Sequence, residues 1–357
     1  MHTRPVSDIE SIRLLPETSG NPVNLNSLSF DRLPNPRQVW PFPSRSTEEG
    51  LGRLVLLTPD VVASAASSCI KTGRRTSLNW DLTKLDVANF NRAPAQHHII
   101  PLLNGTAFDD LYVFNPQQSS QWDGLRHFSA PFPTKENPKQ RLFYGGVTSA
   151  EIEDRKNTRI GIQHWAKQGI CGRGVLLDYV SYAERHGIEY STFSSHGVSL
   201  EVLLKIAKEE DITFRQGDIL FIRIGVTKEW DTKMTPADKL AYAQSSNPLH
   251  AGVEGTEEVL KWIWNTKFSA VASDAISFEV YPPKESYSRY GDQADAPGVF
   301  LHEYLIAGWG MPVGELFDLE ELSRICQEEH RWEFFVVASP LNMPGGVSSP
   351  PNCIAIF

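Results

Sequence analysis

The chain has 357 residues, 41% of them hydrophobic and 22% charged, which is enough apolar material for one large core or two smaller ones. A formal net charge of −9 argues against the basic surfaces that nucleic acids and anionic membranes require. No apolar run approaches the roughly 20 residues of a membrane span. No apolar segment follows residues 1–8, so we expect no secretory signal.

The first 50 residues are rich in Pro, Ser and Asn, as in Leu33-Pro34-Asn35-Pro36. This composition predicts an irregular arm over residues 1–50, and residues 51–357 are predicted to form a single domain. The aromatic and proline residues at 40–43 should pack on the body of that domain.

Hydrophobic periodicity and turn residues predict alternating helices and strands after the arm. Helices are predicted at 61–70, 161–169, 200–209, 256–264 and 319–326. Strands are predicted at 97–102, 109–114, 175–180, 219–224, 268–273, 332–338 and 353–357, and a helix-like stretch opens at 302–306. Interleaved helices and buried apolar strands are typical of the α/β class. We find no phosphate-cradling glycine motif, so no nucleotide cofactor is expected.

The four cysteines are far apart and form no CxxC pair: Cys69, Cys171, Cys326 and Cys353. Thiols in this pattern are typical of a reduced compartment, where they pack as small apolar groups. The sequence therefore predicts a cytoplasmic protein.

The segment 119–128 gathers an amide, a carboxylate, a guanidinium and an imidazole. Gln121 and Asp123 are two residues apart, so on an extended segment they face the same side. His127 lies four residues beyond Asp123, and either an extended path or a helical turn brings the two together. A carboxylate beside an imidazole suits metal binding or general acid–base catalysis. The alternative is a solvated polar turn.

Two later positions also carry candidate functional groups. Asp274 ends the predicted strand at 268–273, and Glu279 follows five residues later, so the pair indicates either a site or a strand-end cap. Tyr144 precedes Gly145 and Gly146, which permit either close approach to a ligand or a plain turn.

Taken together, six segments in order resemble the cyclase family that includes bacterial kynurenine formamidase and isatin hydrolase, and especially its fungal or actinomycete branch. The segments are 121–128 (QWDGLRHF), 172–178 (GRGVLLD), 217–223 (GDILFIR), Ser273-Asp274 with Glu279, His302 to Glu315, and Pro340-Leu341 with the turn before the terminal strand. The resemblance implies one swivelling β/β/α domain, with a central barrel-like mixed sheet and peripheral helices. It also implies a catalytic role for residues 51–357, and a homodimer or larger homo-oligomer.

The metal-binding motif of that family is His-x-x-x-His-x-Asp-x-Pro-x-His. On this chain the first two histidines correspond to Gln117 and Gln121, the aspartate to Asp123 and the last histidine to His127. An amide oxygen is a weaker ligand than imidazole, so Zn²⁺ affinity should fall. The resemblance therefore leaves a Zn²⁺ or Mn²⁺ site and a metal-free site both open.

The residue roles that the resemblance implies fall into three groups. The catalytic residues are His127, Asp123 and Glu315; the substrate-binding residues are Gln121, Trp122, Arg126 and Tyr144; the metal ligands are Asp123, Gln121, His302 and Glu315. For Arg126 a structural ion pair is the alternative. Several aromatic residues near these positions suggest a flat or aromatic small-molecule substrate.

The implied reaction is hydrolysis of an amide, lactam or lactone, with His127 as the general acid–base group beside Asp123. One alternative is a metal-independent dehydratase, cyclase or isomerase acting on an aromatic or polyketide-like compound of secondary metabolism. Another is a non-catalytic ligand-binding homologue.

Overall fold

The computed structural model describes residues 28–87, 92–283 and 299–357. A nine-stranded mixed sheet runs through it in the order β1-β15-β13-β7-β9-β11-β12-β4-β14 and curls into a half-barrel. Its strands are β1 (Arg75–Ser77), β4 (Gln121–Asp123), β7 (Ile170–Asp178), β9 (Ile219–Arg223), β11 (Ala270–Ser273), β12 (Val313–Glu315), β13 (Glu333–Ala338), β14 (Ser348–Ser349) and β15 (Cys353–Ile356). This confirms the α/β class with a barrel-like mixed sheet.

The central strands β7, β9, β11 and β12 are parallel, and antiparallel strands flank them on both sides. Residues of β9 are fully buried because core side chains cover both faces of the parallel strands. The short strand β4 lies antiparallel to β12 and β14 near one edge. This pairing brings the segment around Asp123 next to the segment that ends at Glu315.

Ten α-helices lie around the sheet in the described residues. They are α1 (Thr47–Leu51), α2 (Pro59–Cys69), α3 (Ser149–Glu153), α4 (Gln163–Gln168), α5 (Tyr179–His186), α6 (Leu200–Glu209), α7 (Val226–Thr232), α8 (Pro236–Gln244), α9 (Glu257–Thr266) and α10 (Glu320–Glu329). None of the helices in the described ranges is long and apolar enough to cross a membrane.

The described part of the N-terminal arm packs against the body of the protein. Phe30 is 1% exposed and Val39 is 3% exposed, and both join the main hydrophobic core. The Trp40 indole donates a hydrogen bond to the Ala307 carbonyl, and Trp309 donates to Pro36. The aromatic–proline segment therefore contacts the body as predicted, whereas residues 1–27 of the predicted arm lie outside the described residues.

A separate β-hairpin projects from the domain. It consists of β2 (Gln96–Leu102) and β3 (Ala107–Val113), paired antiparallel across a turn at Leu103–Gly105. Every residue of β2 is exposed, and so is every residue of β3 except Ala107. The remaining strand pairs are β5 (Ala130–Pro131) with β6 (Arg141–Leu142) and β8 (Gly197–Val198) with β10 (Gly252–Val253).

Candidate active site

Strand β4 sends alternate side chains to opposite faces of the sheet. Gln121 and Asp123 point to one face and are fully buried. Trp122 points to the other face, where its ring packs edge-on against Phe317 in the core. The predicted pairing of Gln121 with Asp123 is therefore present, while Trp122 is core material.

A tight turn after β4 brings His127 back over Asp123. The His127 amide donates to the Gly124 carbonyl, and the imidazole Nε2 lies 3.4 Å from Asp123 Oδ2. Gly124 is required here, because a Cβ would come within 2.4 Å of the Val347 carbonyl oxygen. The His127 side chain is 20% exposed, whereas Asp123 is fully buried.

Gln117 bridges the two members of this pair. Its amide nitrogen donates to Asp123 Oδ1 at 3.2 Å and lies 2.7 Å from His127 Nδ1. It belongs to a 3-10 turn at Pro116–Gln118, which the Asn115 side chain caps by accepting from the Gln117 backbone amide. In the sequence, Gln117 corresponds to a histidine of the family motif, but no role was predicted for it. Its spacing of six residues from Asp123 was the signal that could have indicated a contact between the two.

Two buried groups complete the inner part of the site. The Gln121 amide donates to Glu315 Oε2 at 2.7 Å, because the β4–β12 register places these two residues opposite each other. His302 directly precedes a π-helix at Glu303–Gly308, and its Nε2 lies 3.1 Å from Glu315 Oε1 and 3.9 Å from Asp123 Oδ2. The structure thus brings together His127, Asp123, Gln121, His302 and Glu315.

Glu279 holds His302 in place. Both of its carboxylate oxygens lie 2.8 Å from His302 Nδ1, and one of them also accepts from the His302 backbone amide. A carboxylate on the far nitrogen fixes the ring so that Nε2 faces the site. The sequence left Glu279 open as a site residue or a strand-end cap, and the structure assigns it to the site.

Burial and neighbouring charges give these groups different proton affinities. Burial by itself lowers the pKa of His302, but the carboxylates of Glu279, Asp123 and Glu315 around the ring outweigh it and hold that pKa well above its usual range. Burial, with the nearby charge of Asp123, raises the pKa of Glu315 to about 7. The inner site therefore holds a protonated His302 between carboxyl groups.

The pKa values of the outer pair, His127 and Asp123, are both lowered. Burial lowers the pKa of His127 in spite of the Asp123 charge, so the imidazole is neutral at pH 7. Burial alone would raise the pKa of Asp123, but His127 and His302 lower it below its usual value. A neutral imidazole beside a carboxylate is suited to accept a proton.

His250, behind the site, gives a pH-dependent contribution to stability. Its ring is 2% exposed, bonds to Ser277 and stacks on Tyr281, and burial lowers its pKa from 6.5 to about 4. The unfolded chain binds this proton more readily, so stability is complete above pH 6.5 and falls as the pH drops towards 4, by up to about 3 kcal/mol. Urea unfolding at pH 7 and 4.5 should show a smaller fall for His250→Gln than for the wild type. Equal falls in both proteins would contradict this assignment.

Three residues predicted to bind substrate do not reach the site. The Arg126 guanidinium donates to four backbone carbonyls, those of Glu151, Ile152, Asn157 and Arg159, and so holds a loop instead of forming the ion pair considered as its alternative. Tyr144 is 1% exposed and packs against Gly310, and Trp122 lies on the core face of β4.

An aromatic pair lies beside His302. The rings of Phe128 and Phe300 stack with centroids 5.4 Å apart, and Phe128 meets the His302 ring edge-on. Both phenylalanines are half-buried, and the Arg141 guanidinium lies over the Phe128 ring. Of the aromatic residues that suggested a flat substrate, Phe128 is at the site.

A cavity of about 540 Å³ opens next to Gln117. Its walls are mostly apolar and include Pro94, Val113, Phe114, Leu341 and Met343, with Gln96, Asn115 and Ser348 as polar groups. Ser348 is paired with Asp123 across β14 and β4. The cavity therefore adjoins the outer pair of the site and is large enough for a small molecule.

The residues present fit a divalent cation. Asp123 Oδ2 and Gln121 Oε1 are buried and have no hydrogen-bond partner among the residues that the structure describes. Donor atoms of Asp123, His127 and His302 lie within 4.8 Å of one another. Unsatisfied oxygens beside imidazoles form the donor set that Zn²⁺ and Mn²⁺ accept. To bind an ion, His302 would have to release the proton that its Nε2 shares with Glu315.

Comparison with known proteins identifies the family. Residues 86–280 match the family model described as "Putative cyclase". The chain belongs to the cyclase family. No curated protein sequence gives a significant match. The family assignment confirms the resemblance inferred from the six ordered segments, and it makes the chain an enzyme whose reaction type is left open.

Solved structures of the cyclase family share the fold. A crystal structure of a novel cyclase is 26% identical with a TM-score of 0.70, covering 87% of this chain and 97% of that one. Isatin hydrolase A from Labrenzia aggregata, bound to benzyl benzoate, is 13% identical with a TM-score of 0.53, over 83% and 97% of the two chains. Isatin hydrolase A from Ralstonia solanacearum is 12% identical with a TM-score of 0.54, over 84% and 97%.

Proposed function

We propose that this cyclase-family enzyme hydrolyses an amide, lactam or lactone, with His127 as the general acid–base group and Asp123 as its partner. The observation that carries the proposal is the graded exposure of the site. The His127 side chain is 20% exposed at the outer end, while Asp123, His302 and Glu315 behind it are at most 5% exposed. A substrate can therefore reach the imidazole while the groups that tune it stay away from solvent.

In the first step His127 acts as a base. Its Nε2–H points towards Asp123, which leaves the Nδ1 lone pair for the incoming proton. The Gln117 amide occupies that lone pair in the free enzyme, so it must move aside when water and substrate bind. Water attacks the carbonyl carbon, its proton passes to Nδ1, and Asp123 stabilises the imidazolium.

In the second step the same group acts as an acid. The His127 imidazolium returns its proton to the leaving nitrogen or oxygen as the C–N or C–O bond breaks. One water is consumed. An amide gives a carboxylic acid and an amine, whereas a lactam or lactone gives one ring-opened molecule that carries both a carboxylic acid and an amine or hydroxyl group. A divalent cation bound by Asp123, Gln121, His302 and Glu315 would polarise the carbonyl and make the water more acidic.

The surroundings of His127 favour a compact aromatic substrate. The Phe128–Phe300 stack offers a ring face beside the catalytic imidazole, and the adjoining cavity of about 540 Å³ has mainly apolar walls. Aromatic rings prefer offset-stacked or edge-to-face contacts with such side chains. A small aromatic amide, lactam or lactone is consistent with this volume and these side chains.

One observation favours a second candidate function, acid–base catalysis without a metal. The amide nitrogens of Gln117 and Gln121 face the carboxylates of Asp123 and Glu315 and hydrogen-bond to them. These hydrogen bonds, together with the positive charge of His302, stabilise the negative charges of Asp123 and Glu315 without a bound cation. The same His127–Asp123 pair could then drive dehydration, cyclisation or isomerisation. Retention of that pair argues against a purely ligand-binding protein.

The test is to assay aromatic amides, lactams and lactones with enzyme that was dialysed against chelator and then reloaded with Zn²⁺ or Mn²⁺. Hydrolysis restored only by the ion supports the metal-assisted form of the proposal. Equal hydrolysis with and without the ion places the chemistry on His127 and Asp123 alone. Turnover without addition of water would support the second candidate and overturn the first.

A further inference from the structure

Arg92 lies where the cavity of about 540 Å³ meets the active site. Its guanidinium Nη1 donates a hydrogen bond to the Gln117 backbone carbonyl at 2.8 Å. The next two residues, Ala93 and Pro94, line the cavity, and so does Gln117. Because the Gln117 side chain also contacts His127, this one residue links the guanidinium, the cavity wall and the catalytic imidazole.

The positive charge of Arg92 acts on several groups of the site. Burial raises the pKa of Asp123 and of Glu315, and the charge of Arg92 is one of the influences that lower both. Burial lowers the pKa of His127, and Arg92 lowers it further. Coulomb interactions weaken with distance, so the guanidinium is close enough to act on a small molecule that also reaches His127.

The chemistry of the guanidinium suits an anionic group. Support of the 3-10 turn at Pro116–Gln118 uses a hydrogen bond to one carbonyl, whereas a guanidinium carries five N–H donors in a planar fork. That fork matches the oxygens of a carboxylate in geometry and in charge. The Arg92 side chain is half-buried, and a pair formed there is screened less by salt than one at the open surface.

The acidic groups of the inner site are already stabilised by other residues. His302 carries a positive charge between the carboxyl groups, and the amides of Gln117 and Gln121 donate to two of them. The charge of Arg92 comes in addition to these contacts. It therefore makes the junction of site and cavity more favourable to an anion than the carboxyl groups alone would allow.

We propose that Arg92 binds an anionic group of the substrate and so places the scissile carbonyl, at the other end of the molecule, beside His127. The substrate is then an aromatic amide, lactam or lactone that also carries a carboxylate or a similar oxyanion. This assignment rests on the proposed hydrolysis and narrows its substrate class. The guanidinium also offsets the repulsion that the Asp123 carboxylate exerts on such a substrate.

The first experiment compares two soluble probes that carry the same aromatic amide and differ in charge. They are 4-carbamoylbenzoate, an anion, and 4-(hydroxymethyl)benzamide, which is neutral, and calorimetric titration of the full chain measures their binding. A charge-assisted hydrogen bond to Arg92 should favour the anion by about tenfold to a hundredfold. A wild type that binds the anion no better than the neutral probe, or does not bind it at millimolar concentration, would overturn the proposal.

Substitutions separate recognition of the anion from support of the turn. Arg92→Gln should lose the preference for the anion, and Arg92→Lys should keep part of it, because lysine retains the charge but not the fork. If Arg92 only supported the turn at Pro116–Gln118, Arg92→Gln would weaken both probes alike, and that result would overturn the proposal. A full preference in Arg92→Gln would also overturn it.

The matched control is Arg75→Gln. Arg75 is exposed on β1, at the opposite end of the strand order from β4 and β14. This variant should keep the wild-type preference for the anion. Circular dichroism spectra of the Arg92 and Arg75 variants should match that of the wild type.

The second measurement is the salt dependence of binding. Added NaCl should weaken the binding of 4-carbamoylbenzoate to the wild type several-fold, because salt screens the pair, and should change its binding to Arg92→Gln much less. Equal salt dependence in the two proteins would contradict a direct pair. Neither measurement requires turnover, so a preference for the anion without any hydrolysis would remove the proposed reaction and leave the anion site in place.

Discussion

Replacing His127 with alanine should abolish most of the turnover while leaving the fold intact. A positioned acid–base group contributes about 10²–10⁴ to the rate, so kcat should fall by about that factor. The ring is partly exposed, and its contacts are to Gln117 and Asp123 at the outer end of the site. Its loss should therefore change the urea midpoint little. Steady-state kinetics and unfolding curves of the same preparation check both expectations.

The matched control for this variant is His186→Ala. His186 is 43% exposed and pairs with Glu209 at the protein surface. Its removal should leave kcat and KM unchanged. Wild-type turnover in His127→Ala would contradict both the hydrolytic and the metal-free mechanisms, since each of them relies on this imidazole.

The second large effect concerns the two amides. In the double variant Gln117→His/Gln121→His, two imidazoles replace weak amide donors around Asp123, which restores the donor types of the family motif. Zn²⁺ affinity should rise by at least about tenfold, since even the loss of an outer partner of a metal ligand costs that much. Competition with a chromophoric chelator measures the affinity.

The control for metal binding is Gln244→His, which adds an imidazole at the exposed end of α8. It should leave the affinity for Zn²⁺ at the wild-type value. An unchanged affinity in the double variant would show that positions 117 and 121 do not surround the ion. The metal site would then have to rest on Asp123, His127 and His302.

Local sequence signals predicted the regular elements well. Helix α6 has the predicted bounds, because Ser199 caps its first turn and the apolar stripe repeats at helical spacing. The hairpin also formed where Asn104-Gly105 separates two apolar runs, although nothing in the sequence showed that it would be exposed on both faces.

The bounds of one predicted strand were wrong, because an apolar run alone does not show where a strand ends and a helix begins. The strand predicted at 175–180 begins at Ile170 and ends at Asp178, where the Asp178 side chain caps α5 by accepting from the Ser181 amide. The helix-like stretch predicted from His302 is present as a π-helix at Glu303–Gly308. The N-terminal arm packs against it, with the Val39 amide donating to the Gly308 carbonyl. That packing is tertiary and has no local sequence signal.

The site shows the same division between local and distant contacts. Asp123 and His127 are four residues apart, so their pairing followed from backbone geometry. The role of Arg126 depends on carbonyl groups about 30 residues away, and that of Glu279 on a histidine 23 residues away. A single sequence does not show which way such side chains turn.

Product analysis in ¹⁸O-labelled water tests the central claim most directly. Aromatic lactams, lactones and amides would be incubated with the enzyme, and the products weighed by mass spectrometry. Hydrolysis with His127 as the base predicts one ¹⁸O in the new carboxylate. A lactam or lactone should give one product heavier than its substrate by one labelled water, and an amide should give a labelled acid and an unlabelled amine. His127→Ala should form these products at least about a hundredfold more slowly. A product that is isomeric with the substrate, or lighter by one water and free of label, would contradict the account.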